Sequence, residues 1–170
     1  DLCHHALCGA SSGEYTNAST TQLVDARTRA WADDLFSRLA LPRELMPGLV
    51  RPGEPLGEIR PSLQKELGTG PVRVIAPGTH DTASAVAGTP LFPGWAYVSS
   101  GTWSLVGVER PSPLVNPAVG RANFTNEGGV SGTGRFLKNV MGLWILDACR
   151  REWAERGLSA DREGLLAAAG

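Results

Sequence analysis

The sequence has little lysine, cysteine or tyrosine, and no long apolar run. Of its sixteen basic residues only Lys65 and Lys138 are lysine. Seventeen acids are interspersed with them for a formal net charge of -1, so there is no basic footprint for nucleic acid or an anionic surface. The partner expected is a small molecule. No apolar stretch is long enough to span a bilayer, and no membrane helix is expected. Cys3, Cys8 and Cys149 are odd in number and not closely paired, which argues against a secreted disulfide framework and for the cytoplasm. Cys3-His4-His5 and Cys8 lack a second ligand pair at zinc-site spacing, so no metal site is expected there. Neither a Walker-type phosphate loop nor a GxGxxG fingerprint occurs, and no internal repeat is visible, so any nucleotide site is of another kind. The opening at Asp1, without an initiator Met or a signal segment, reads as a piece of a longer protein.

What is present is an ordinary globular composition, 42% hydrophobic and 19% charged. Asp1 to Cys8 reads as the tail of a helix stopped by Gly9. The hydroxyl- and amide-rich run from Glu14 to Asp25 is either a polar loop with a short strand or a set of side chains facing a cleft. Trp31, Leu35 and Leu39 recur at helical spacing, predicting an amphipathic helix over Trp31 to Ala40. Pro and Gly dominate Arg43 to Arg60, as in a connection running over a surface. A short helix then opens at Pro61 and ends before Gly68, and Val72 to Ala76 alternates like a strand.

Beyond a connector at Pro90 to Gly94, strands are expected at Trp95 to Val98 and Trp103 to Val108. Pro111 to Arg121 reads as a loop. Asn123 to Gly129 reads as a strand, with Gly132 to Phe136 as its hairpin partner. The longest helix is expected from Leu137 to about Glu155, with Leu137, Met141, Trp144 and Ala148 as an apolar stripe and Trp144 in the core. On it, Asn139 and Asp147 would stand roughly 12 Å apart along the axis. The Ala-rich end, to Gly170, reads as the start of another helix.

Two segments stand out chemically. In Gly78-Thr79-His80-Asp81-Thr82, Asp81 sits where a strand hands over to a helix. Ligands of open α/β sheets bind at such strand ends, which makes Asp81 a candidate general base. The same position suits a helix N-cap, and the two roles are compatible. Ser99-Ser100-Gly101-Thr102 is either a tight hairpin turn or a concave anion site made of backbone N–H groups around Gly101 with the hydroxyls of Ser100 and Thr102. Lys138, in a chain that otherwise uses Arg, is either a solvated lysine or a compact ammonium wanted near a phosphate or in a buried pair.

Taken in order, TNASTTQLVD, GTHDTASAV, YVSSGTWSLVGVE, NFTNEGG and FLKNVMGLW resemble the FGGY carbohydrate kinases over roughly Gly13 to Arg156. The resemblance implies partial α/β, ribonuclease H-like domains of the actin and hexokinase type. Residues 1–92 would end the sugar-binding domain and 93–170 would begin the ATP-binding domain. It implies phosphorylation of a ketose by ATP with Mg²⁺. Asp81 would be the catalytic base, His80, Thr82 and Asn139 would contact the sugar, and Gly101 and Thr102 would lie beside the ATP phosphates. Where the family pattern has Gln at a further ATP contact, this chain has Asp147, and a carboxylate cannot donate as an amide does. The resemblance also implies an amino-terminal phosphate loop and a carboxy-terminal adenine segment that these residues lack, so the 170 residues alone are expected to be inactive. A non-catalytic sugar or nucleotide sensor on the same scaffold is the rival reading, against which the retention of Asp81 argues.

Overall fold

A computed structural model describes residues 1–158 and 161–169. Helix α1 (Leu2–Cys8) stops at Gly9, whose φ of 83° lets its N–H reach back to the His5 carbonyl. Strand β1 (Ser12–Glu14) runs straight into a one-turn helix, α2 (Tyr15–Ala18), and a 3₁₀ turn over Ser19–Thr21. β2 (Val24–Asp25) and β3 (Ala30–Trp31) form a ribbon in which Val24 faces Trp31.

The helix expected from Trp31 therefore begins later, as α3 (Asp33–Leu39). Strand pairing holds Trp31, and its indole N–H donates to the Pro47 carbonyl at 2.8 Å. Phe36, edge-on to Trp31, is what α3 buries, while Leu39 is exposed.

The Pro- and Gly-dense connection contains two strands. β4 (Gly48–Val50) lies parallel to β1, and β5 (Pro55–Glu58) is antiparallel to the strand that follows helix α4 (Pro61–Leu67). That strand, β6 (Arg73–Ile75), turns Val74 inward and leaves Ile75 exposed. Helix α5 (Asp81–Ala87) then packs Ala83 and Val86 into the core.

The second half is built on an antiparallel sheet. β7 (Ala96–Ser100) and β8 (Trp103–Arg110) form a hairpin. The region read as a loop holds a short helix, α6 (Pro117–Arg121), because Asn116 caps it by accepting the Val119 N–H at 2.9 Å and Pro117 suits the first turn. β9 (Thr125–Gly128) and β10 (Gly134–Met141) complete the spatial order β7-β8-β10-β9.

The main departure from expectation lies at residues 137–141. β10 pairs residue for residue with β8, from Gly134 opposite Arg110 to Met141 opposite Trp103. Eight ladder positions override a helical stripe that four apolar residues suggested, and the alternate residues Arg135 and Leu137 are fully buried. The helix begins instead as α7 (Leu143–Glu155). Asn139 thus stands on a strand, the axial separation from Asp147 does not apply, and Trp144 is 48% exposed and not in the core. The chain ends in α8 (Arg162–Ala169), with Gly170 outside the described residues.

Gly142, between β10 and α7, allows a close approach. A Cβ there would stand 2.6 Å from the Gly101 carbonyl oxygen and from Ser104 Oγ. Gly142→Ala is expected to cost about 1–3 kcal/mol by overpacking against backbone. A lowered denaturant midpoint at unchanged slope is the result to look for.

Among the described residues no helix is long and apolar enough to cross a membrane. The three cysteines are free thiols.

Candidate active site

The turn between β6 and α5 delivers Thr79, His80 and Asp81 together. His80, not Asp81, is the N-cap of α5: its Nδ1 accepts the Ala83 N–H at 3.3 Å. Asp81 occupies the first helical position and is spared the capping role. Its Oδ1 accepts the N–H of Thr82 at 2.6 Å, and its side chain is 98% exposed.

A ring nitrogen that accepts a backbone N–H carries no proton, so His80 holds its proton on Nε2. Burial pushes this imidazole below its ordinary range, and the nearby Arg135 guanidinium acts in the same direction. The Asp81 carboxylate, 3.6 Å from Nδ1, is therefore the neighbour of a neutral ring. A histidine whose pKa is lowered on folding binds fewer protons in the folded than in the unfolded chain, so stability falls as pH drops below the unfolded value of 6.5. His4, also held down chiefly by burial, acts likewise. The melting temperature is expected to decline between about pH 6.5 and pH 5, and less steeply in His80→Gln.

Asp81 opens onto a cleft of about 430 Å³. One wall joins His80, Asp81 and Thr82 to Ser19, Thr20 and Gln22, from the turn after α2. Of the two readings of the polar run, the cleft-facing one describes these three. The other wall comes from the second half: Trp103, Leu105, Asn123, Thr125, Glu127 and Asn139. Asn139 thus shares the cleft with His80, Asp81 and Thr82, although a strand brings it there. Hydroxyls and amides beside an apolar strip, in a space of this size, suit a small polyhydroxylated ligand.

Gly101, Thr102 and Asp147 do not line this cleft. Gly101 and Thr102 form the hairpin turn, and Ser99 and Ser100 are the last residues of β7. The Gly101 N–H donates to the Trp103 carbonyl at 2.8 Å, and the Ser100 and Ser104 hydroxyls bond to each other at 3.0 Å. The Gly101 N–H is thus taken up within the turn. The carbonyls of Gly101 and Thr102 instead accept the N–H groups of Gly142, Leu143 and Trp144 at the start of α7. The Thr102 side of the turn is exposed. Asp147 pairs with Arg150 at 3.1 Å and lies 3.5 Å from Arg162. Lys138 stands on β10 with its ammonium 5.8 Å from the centre of the Phe124 ring, a cation–π contact.

Two groups escaped sequence reasoning. Glu14 is fully buried, caps α2 and reaches Thr79, 65 positions along the chain. Glu is not among the residues favoured at an N-cap, and nothing local announces the distant partner. The fully buried Arg135 pairs with Glu127, a cleft residue, at 2.8 Å.

Solved structures sharing this architecture, the actin-like ATPase fold, include sugar kinases. A xyloylose kinase from Brucella ovis superimposes with a TM-score of 0.75 at 21% identity, over 94% of this chain and 32% of that one. A ligand-bound xylulose kinase from Lactobacillus acidophilus gives 0.72 at 17% identity, over 88% and 30%. The family model for the N-terminal domain of the FGGY carbohydrate kinases matches residues 1–88, and that for the C-terminal domain matches 96–170. The chain belongs to the FGGY family of carbohydrate kinases. Its curated relatives include the rhamnulokinase of Bacteroides thetaiotaomicron, 46% identical over 156 residues, covering 91% of this chain and 32% of that protein. The rhamnulokinase of Enterococcus faecalis is 38% identical over 170 residues, covering 96% and 34%. The chain spans about a third of the length of these relatives.

Proposed function

We propose that the full-length protein transfers the γ-phosphoryl group of ATP to the C1 hydroxyl of L-rhamnulose, giving L-rhamnulose 1-phosphate and ADP. The observation that carries the reading is an open carboxylate, Asp81, in a polar cleft whose far wall supplies Asn139. The choice of sugar is supported by relatives named rhamnulokinase at 46% and 44% identity.

Asp81 accepts the proton of the attacking hydroxyl as its oxygen bonds to the γ-phosphorus and the bond to the β–γ bridging oxygen breaks. His80, with its proton on Nε2, donates to a sugar oxygen, and Thr82 and Asn139 complete the sugar contacts. Mg²⁺ enters with ATP as part of the substrate complex and offsets the phosphate charge. Gly101 and Thr102 face the phosphates in this reading. Asp147, tied to its arginines, takes the place of a family Gln without its donor capacity. Residues 1–92 are the latter part of the sugar-binding domain, 93–170 open the ATP-binding domain, and the enzyme works in the cytoplasm.

The test is side-by-side turnover of L-rhamnulose, L-fuculose and xylulose by the full-length protein with ATP. L-Rhamnulose is expected to lead in kcat/KM by about tenfold or more. A better rate with another ketose reassigns the substrate within the family. Sugar binding with no ADP formed from any of them replaces the enzyme by a sensor.

A further inference from the structure

We infer that Glu14 is a positioning residue for phosphoryl transfer, fixing where Asp81 stands through Thr16 and Thr79 without touching substrate. This rests on the reading of Asp81 as the base.

Glu14 has no solvent exposure. Its carboxylate collects neutral donors: Oε1 takes the Thr16 N–H at 2.8 Å, and Oε2 takes the Thr16 hydroxyl and, at 3.4 Å, the Asn17 N–H. Oε2 also accepts the Thr79 N–H at 2.8 Å and the Thr79 hydroxyl at 3.0 Å. Capping α2 needs only the bonds to Thr16 and Asn17. Those to Thr79 are additional, and they cross to the residue two before Asp81.

The link extends one residue further. Thr16 Oγ1 donates to Glu14 Oε2 and accepts the His80 N–H at 3.2 Å. Both backbone N–H groups ahead of Asp81 are thus assigned to Glu14, one directly and one through a single hydroxyl. The helix that Glu14 caps leads into the turn carrying Ser19, Thr20 and Gln22, so one carboxylate sets the spacing of the base from the rest of its wall. Burial removes competing water and stiffens the arrangement. Only an acceptor fits, since the amide of a Gln turns an N–H₂ donor onto donors.

The experiment is Glu14→Gln in the full-length protein, alone and combined with Asp81→Asn. Circular dichroism checks folding, and calorimetry measures sugar affinity. The expected result is a kcat lower by about 10²-fold, the cost of misplacing a reacting group by about 1 Å, with sugar affinity changed by less than about threefold. In the Asp81→Asn background Glu14→Gln is expected to cost nothing further, because the group it places is already disabled. An unchanged kcat in the folded variant, or losses that simply multiply, overturns the inference. If Glu14→Gln does not fold, the near-isosteric Thr16→Val removes only the hydroxyl between Glu14 and His80. It is expected to lower kcat by about tenfold with the same non-additivity, and wild-type kcat there also overturns the inference. Wild-type turnover by Asp81→Asn overturns both the base and its positioner. An inactive Asp81→Asn beside a fully active Glu14→Gln sinks the positioning role alone.

Discussion

Asp81→Asn in the full-length protein is expected to lower kcat by about 10²–10⁴-fold, the usual contribution of a positioned general base. Sugar affinity is expected to stay within a few-fold. Asn keeps the shape of Asp and an oxygen that accepts the Thr82 N–H, so the start of α5 is preserved. What it loses is the capacity to take a proton. The side chain is 98% exposed and caps nothing, so fold stability is expected to move by no more than about 0.3–1 kcal/mol, the worth of a negative charge in a first helical turn. Single-turnover kinetics and titration calorimetry on the same preparation separate the two quantities. Wild-type turnover would refute the assignment.

The largest stability effect is expected at Glu127. Glu127 and Arg135 face each other across β9 and β10, the guanidinium fully buried and the carboxylate 11% exposed. Arg135 also donates through Nε to the Gly128 carbonyl at 3.0 Å, while its Nη1 has no hydrogen-bond partner among the described residues. Glu127→Ala leaves this charge buried and uncompensated, at a cost of about 3–5 kcal/mol. Replacing both residues with apolar ones of similar volume is expected to recover much of that loss, because the isolated charge, not the missing pair, is the expensive state. Urea unfolding of the single and double variants measures it.

Local punctuation was legible in the sequence. Gly9 and Gly68 end helices in the left-handed region, and Pro61 opens one, as residue chemistry alone requires. The family resemblance named His80, Asp81, Thr82 and Asn139 together, and the four line one cleft.

Much of what failed depended on partners outside the segment being read. The segment at 137–141 carries apolar residues at both strand and helix spacing, and only pairing with β8 decides between them. Trp31 was drawn into a ribbon in the same way. The capping role fell one residue from where composition placed it, because an imidazole nitrogen did what a carboxylate more often does. Glu14 was invisible as a site residue because its decisive partner is Thr79.

The hairpin tip at Gly101 and Thr102 is also the seat of a helix. Its two carbonyls grip the first amides of α7, thirteen residues forming a rod about 20 Å long. Asp147 and its arginine partner lie on this rod, so three backbone hydrogen bonds at the tip fix where that ion pair stands.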